Sequence, residues 1–117
     1  MRIVEYYQTA EGKCPVGEFL RSLGNKDREK ALWVFRLIER IDQVSAEFFK
    51  KLVDTEEIWE CRIHTATGAY RVFSFFFEGG KLILTHGYSK KRWKTDRREI
   101  VRAEQYRRDY LSRFGRK

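Results

Sequence analysis

The period of the apolar residues changes near Ile58, and this change constrains the fold more than any other feature of the sequence. Between Lys26 and Gln43, apolar side chains recur at the spacing of one buried helical face: Ala31, Val34, Phe35, Ile38 and Ile41. The stretch EIWECRIH then alternates polar and apolar residues, as a β-strand does. Two further strand-like stretches follow, YRVFSFFFE and KLILTHGY, and the connections ATGAY and EGG are short turns with glycine. Short connections of this kind predict an antiparallel three-stranded meander.

The remaining segments predict the elements around this meander. RIVEYYQT reads as a first strand, and Pro15 suits the first turn of a short helix, PVGEFLRSL. Phe48, Phe49 and Leu52 predict an apolar turn that packs over the sheet. Asp96 with Glu99 forms a capping-box pattern, which predicts the start of a basic C-terminal helix. The order predicts an α+β fold, in which helices cover one face of a small antiparallel sheet and leave the other open to water or a ligand.

Length and composition limit the class of protein. A chain of 117 residues with 42% hydrophobic residues predicts a single domain over residues 1–117. No stretch approaches the roughly 18 apolar residues of a membrane span, and the N-terminus lacks the apolar core of a signal peptide, which favours a cytoplasmic protein. Cys14 and Cys61 lack metal-ligand spacing, so we expect two reduced thiols, with Cys61 in the core.

The net charge of +8 is concentrated at one end of the chain. Residues 1–89 hold 13 lysines and arginines and 13 acidic residues, whereas residues 90–117 hold 12 and 4. A localised positive field is typical of proteins that meet phosphate, an acidic protein or an anionic membrane. The alternative is a solvated basic helix that aids solubility.

Two arginines lie inside predicted strands, where charge is unfavourable unless the side that they face is open. Alternation points Arg62 away from Cys61 and Ile63, and it points Arg71 away from its apolar neighbours. If the two strands pair through the turn at Gly68, both arginines could converge on one anion, although the turn length leaves the register open. Two guanidinium groups on one face suit a phosphate and its developing charge. The alternative is a pair of arginines bridged to Glu60 or another local carboxylate.

The segment from Tyr88 to Thr95 combines cations with aromatic rings: Tyr88, Lys90, Lys91, Arg92, Trp93 and Lys94. Cations for phosphates and flat rings for bases match the needs of single-stranded RNA. Trp93 could equally pack under the last helix.

Cleavage of RNA requires a base for the ribose 2′-hydroxyl and an acid for the leaving oxygen. His64, at a strand end on the Arg62 side, and His86, at the end of the third strand, are candidates, and either could be structural. A lysine crowded by other cations can have a lowered pKa, which makes Lys91 and Lys94 candidate bases. The sequence shows neither a metal-ligand cluster nor a glycine-rich nucleotide loop, so we expect no metal and no cofactor.

Four segments in order, IWECRI, GAYRVFSFF, LILTHGYSKKRWKT and REIVRAEQYRRDY, resemble the phage-derived, HigB-like branch of the RelE/HigB toxin superfamily. The resemblance covers about residues 57 to 110. It implies a RelE-like fold and the toxin of a type II toxin–antitoxin system. Such a toxin is a ribosome-dependent, metal-independent mRNA endonuclease, or mRNA interferase, that cuts mRNA in the ribosomal A site and inhibits translation. Its partner would be a helix-turn-helix, HigA-like antitoxin, with which it would form an oligomer.

Carried over by position, the resemblance implies catalytic roles for Arg62, Arg71, Lys91 and Lys94. Arg62 and Arg71 would hold the scissile phosphate, and the lysines would neutralise charge or assist catalysis. We expect the RNA-binding residues to be His64, His86, Tyr88, Lys90, Arg92 and Trp93. The chain departs from the family pattern at Tyr88, Arg92, Trp93 and Asp96, which puts codon preference in doubt more than fold. A non-catalytic RNA- or ribosome-binding module and a phage structural protein stay open as other functions.

Overall fold

A computed structural model describes residues 1–91 and 96–115 and shows an α+β fold, as predicted. The strands are β1 (Ile3–Tyr6), β2 (Phe49–Lys51), β3 (Trp59–Thr65), β4 (Gly68–Phe77) and β5 (Lys81–Ser89), and the helices are α1 (Pro15–Ser22), α2 (Asn25–Arg40) and α3 (Arg97–Phe114). A single 3₁₀ turn, Glu78–Gly80, joins β4 to β5. The strands form one sheet in the order β1-β5-β4-β3-β2.

The predicted meander is confirmed, and the sheet extends beyond it on both sides. Strands β3, β4 and β5 pair antiparallel, and β1 adds to β5 in parallel. The prediction of an apolar turn at Phe48, Phe49 and Leu52 was wrong in part, because Phe49–Lys51 forms an edge strand paired with β3. Its first residue, Phe49, is buried and stacks on Trp59 with 4.8 Å between ring centroids.

The N-terminal helices cover one face of the sheet. Their buried residues pack on an apolar set from the strands: Cys61, Ile63, Val72, Leu82 and Leu84. Two arginines satisfy the carbonyl groups that the ends of these helices leave free. Arg28 donates to the carbonyl oxygens of Leu20 and Leu23 at the end of α1, and Arg2 donates to those of Ile38 and Ile41 at the end of α2. Both cysteines are free thiols and Cys61 is buried, as predicted.

The opposite face is only partly open, which corrects the expectation that one whole face is left for water or a ligand. Helix α3 packs across it, burying Ala103 completely in a cluster with Ile58 and Phe73. Asp96 caps α3 by accepting a hydrogen bond from the backbone N–H of Arg98. In the described part of the chain, no helix has the length and apolarity needed to cross a membrane.

Gly87 shows how tightly α1 packs on β5. A Cβ atom at this position would lie 2.5 Å from Cδ2 of Phe19, which is closer than real Cβ contacts allow. We expect Gly87→Ala to lower the free energy of unfolding by about 1–3 kcal/mol, because the ring and the strand must move apart. Urea denaturation measures this loss. Gly68→Ala is the matched control, since its Cβ would meet Tyr70 at an ordinary 3.7 Å. Equal stability of the two variants would contradict the packing.

Candidate functional site

Arg62 and Arg71 lie directly opposite each other in the pairing of β3 with β4. The register that the sequence left open therefore brings the two side chains together on the face that α3 covers in part. The side chain of Arg71 is 7% exposed, whereas that of Arg62 is 27% exposed and extends further toward water. Arg62 also donates to the carbonyl oxygen of Ala46, in the connection that precedes β2.

A buried carboxylate holds both arginines. The Nε atom of Arg62 donates to Oε1 of Glu60 at 2.9 Å, and the Nε atom of Arg71 lies 3.5 Å from the same oxygen. Glu60 is completely buried, and its second oxygen, Oε2, accepts no hydrogen bond from the described residues. The structure therefore shows the alternative arrangement that the sequence left open, in which Glu60 bridges the two arginines. Two guanidinium groups share one carboxylate, so the group keeps a net positive charge that an anion can neutralise.

His64 lies at the exposed side of this cluster. Its Nε2 atom is 3.4 Å from Nη1 of Arg71. Burial lowers the pKa of His64, and the charges of Arg71 and Arg62 lower it further. Since an ordinary histidine pKa is about 6.5, the ring is neutral at pH 7. Because Nη1 of Arg71 can only donate, Nε2 carries the lone pair and Nδ1 the proton.

Lys90 completes the described cationic group. Its backbone N–H donates to the carbonyl oxygen of Ala69, which extends the pairing of β5 with β4 by one residue. Burial lowers the pKa of the Lys90 ammonium, and the nearby charge of Arg71 lowers it further. The sequence assigned a lowered pKa to Lys91 and Lys94 instead. Lys91 lies exposed at the end of the described segment, and Arg92, Trp93 and Lys94 lie outside the described residues.

The side chain of His86 is buried and not accessible, so its predicted RNA contact finds no support in this structure. It is 1% exposed and lies under α3, with its ring against Phe73 and Tyr106. Its Nε2 atom is 3.0 Å from Oε1 of Glu99, and burial lowers its pKa to about 4. Glu99 therefore contacts the sheet through His86.

Tyr88 also points inward. Its ring packs on Phe73 at 5.6 Å between centroids, and the hydroxyl oxygen is enclosed. Burial raises the pKa of Tyr88 to about 12, and the charge of Glu60 acts in the same direction, so the hydroxyl stays protonated. The predicted contact of Tyr88 with RNA is therefore restricted to the part of its ring that is accessible.

The sequence reasoning considered Glu60 only as a bridging alternative and missed it as the organising residue of the site. The signal was present in the period of two, because Ile58, Glu60, Arg62 and His64 share one face of β3. The burial of Glu60 could not be inferred from that pattern, since it depends on the elements that pack on this face of the sheet, such as α3. In the described part of the chain, no group of three His, Cys, Asp or Glu side chains is placed to hold a metal ion.

The fold and this cluster define an α+β protein with a cationic site at the open end of its sheet. The model of the family described as phage derived protein Gp49-like (DUF891) matches residues 18–108, and the chain belongs to this family. The family is associated with toxin–antitoxin toxins of the RelE/HigB type. No curated protein matches the chain by sequence.

Proposed function

We propose that this protein is the toxin of a type II toxin–antitoxin system and that it is a ribosome-dependent, metal-independent mRNA endonuclease. The observation that carries the proposal is the cluster of Arg62, Arg71, Lys90 and a neutral His64 around one buried carboxylate. A Gp49-like chain with a strongly basic C-terminal end supports the same function. The proposed partners are mRNA in the ribosomal A site and a helix-turn-helix antitoxin of the HigA type.

The proposed chemistry is in-line attack of a ribose 2′-hydroxyl on the neighbouring phosphate. Arg71 and Arg62 would donate hydrogen bonds to the phosphate oxygens as negative charge develops there. His64 is suited to accept the 2′-hydroxyl proton, because it is exposed and neutral at pH 7, and its Nε2 lone pair becomes free for the hydroxyl when Arg71 turns its Nη1 donor to the phosphate. Lys90 is suited to donate a proton to the leaving 5′-oxygen, since its pKa is lowered from that of an ordinary lysine. Attack by the 2′-oxygen breaks the P–O5′ bond and leaves a 2′,3′-cyclic phosphate.

A non-catalytic RNA- or ribosome-binding module is the second candidate. The observation in its favour is that Glu60 already engages both arginines, as in a purely structural ion-pair group. Such a module would use the same cations to hold phosphates without cutting them. The two candidates differ in whether the RNA is cleaved, and this difference decides the experiment.

The experiment is induced expression in a bacterial host, followed by mapping of new 5′ ends on cellular mRNA. We expect growth arrest and new ends that keep a fixed position in the codon. A reporter transcript without its start codon is the matched control, because the rest of its sequence is the same but it is not translated. Cuts in the translated transcript alone support a ribosome-dependent nuclease. Equal cutting of both transcripts contradicts the ribosome dependence, and arrest without cuts favours the binding module.

The role of His64 predicts a pH dependence of cleavage. A base must be deprotonated, so the cleavage rate falls on the acidic side as His64 takes up a proton. Because the pKa of His64 is lowered, this fall occurs below the ordinary value of about 6.5. His64→Gln is expected to reduce the rate by about 100-fold or more and to remove the acidic limb. Single-turnover cleavage on purified ribosomes, followed as a function of pH, measures the rate and the acidic limb. An unchanged acidic limb in His64→Gln would mean that another group is the base.

A further inference from the structure

The second half of β5 has an open edge. Strand β1 pairs only with the first half of β5, from Lys81 to Leu84. Beyond β1, the backbone N–H of Tyr7 donates the last hydrogen bond on this side, to the carbonyl oxygen of Leu84. From Gly87 to Ser89, β5 pairs with β4 on one side. On the other side, within the described residues, no strand lies beside it.

The backbone of Gly87 and Ser89 points toward this open edge. Lys90 donates its N–H to Ala69 of β4, so the residues at even positions along this stretch, Tyr88 and Lys90, bond toward β4. In an antiparallel pair, alternate residues direct their N–H and C=O groups to opposite sides. Gly87 and Ser89 therefore present two N–H donors and two C=O acceptors, which is the pattern that an added strand requires.

A cleft of about 400 Å³ lies along this edge, between α1 and α3. Its two walls differ in chemistry. The α1 wall carries Phe19 and Leu23, with Glu18 and Ser22 also lining it, whereas the α3 wall carries Arg102. The charge of Arg102 acts on groups that line the cleft, because this charge contributes to lowering the pKa of the neighbouring His86.

We propose that this cleft binds an extended segment of a partner protein, which adds to β5 as a further strand in line with β1. Side chains of an added strand alternate between the two walls. Those facing α1 would be apolar, because they meet Phe19 and Leu23 and because Glu18 disfavours an acidic residue there. Those facing α3 would be acidic and pair with Arg102. The partner segment therefore alternates apolar and acidic residues.

Two observations favour this occupant. The whole excess of positive charge lies in residues 90–117, which begin directly after this edge, so an acidic segment is electrostatically complementary to it. Exposed strand edges are usually blocked by lysine, proline or a covering element. Gly87 and Ser89 provide no such block, and Gly87 cannot accept a larger residue because of Phe19.

The test is a titration of the ¹⁵N-labelled full-length chain with a nine-residue peptide of alternating valine and glutamate, followed by NMR. We expect the amide signals of Gly87 and Ser89 to shift. Ser89→Pro removes the outward N–H and leaves the bonds to β4 in place, and it should weaken binding about tenfold, the equivalent of one hydrogen bond. Ser89→Ala keeps the N–H and is the matched control. Thermal melting of each variant establishes that it is folded.

Arg102→Glu provides a second variant, with Arg98→Glu on the exposed surface of the same helix as its control. We expect Arg102→Glu, but not Arg98→Glu, to weaken binding of the valine–glutamate peptide and to strengthen binding of a valine–lysine peptide. No shift at Gly87 and Ser89 up to millimolar peptide would overturn the proposal. Equal binding of a peptide with the same composition in scrambled order would overturn it too. So would the same shifts on raising the protein concentration alone, since they would identify a second copy as the occupant.

The inference goes beyond the proposed function, because strand addition requires no nuclease activity. Cleavage without peptide binding would reject the strand site and leave the nuclease intact. Peptide binding without cleavage would reject the nuclease and leave the strand site intact.

Discussion

Replacing Arg71 with alanine is expected to abolish growth arrest and to reduce mRNA cleavage by about 100-fold to 1000-fold. Arg71 lies at the centre of the cluster, opposite Arg62 in the sheet and 3.4 Å from His64. Removing one preorganised donor to a developing negative charge typically has an effect of this size. The measurement is the single-turnover cleavage rate on purified ribosomes that carry a defined mRNA.

Two variants separate the role of Arg71 in the site from general effects of charge. Arg71→Lys keeps the positive charge but loses the planar fork, so we expect partial activity. Arg36→Ala removes an exposed arginine of α2 and should leave the rate unchanged. Because Arg71→Ala also removes a partner of buried Glu60, urea denaturation is needed to choose a temperature at which the variant is folded. A rate for Arg71→Ala equal to that of Arg36→Ala would exclude the phosphate role.

The sequence was sufficient for the parts of the fold that depend on local periodicity. Alternation in β3 assigned Cys61 and Ile63 to the core face and Arg62 to the other, and the structure agrees. The helical spacing predicts one buried face with Ala31, Val34, Phe35, Ile38 and Ile41. The first four are buried, whereas Ile41 caps the end of α2 and is 45% exposed. These assignments succeed because a side chain's direction in a strand or helix follows from its position along the element.

Contacts between distant segments were beyond such reasoning. The parallel pairing of β1 with β5 joins residues about 80 positions apart, and nothing in either segment specifies it. From the sequence, the place of His86 at the end of an apolar strand allows either a role toward RNA or a structural one. Its burial depends on α3, where Tyr106 and Glu99 contact the ring. The position of α3 on the sheet, and not the pattern around His86, decides the outcome.

Glu60 gives the second large prediction. Glu60→Leu should lower the free energy of unfolding by about 3–5 kcal/mol, because it leaves Arg71 buried without its carboxylate. Arg62 is less affected, since its side chain reaches water. Cleavage should fall at least tenfold even at temperatures where the variant stays folded, because Glu60 fixes the direction of both guanidinium groups. Urea denaturation and single-turnover cleavage measure the two effects.

The double variant Glu60→Leu/Arg71→Leu separates folding from function. Replacing both members of a buried ion pair by apolar residues is often neutral or stabilising, whereas removing one member is costly. We therefore expect the double variant to recover the stability lost in Glu60→Leu and to have no cleavage activity. Recovery of activity together with stability would mean that the pair serves folding alone. Where the unaltered chain cleaves mRNA, stability without activity in the double variant means that folding does not require the Glu60–Arg71 pair and that the pair is present for the chemistry of the site.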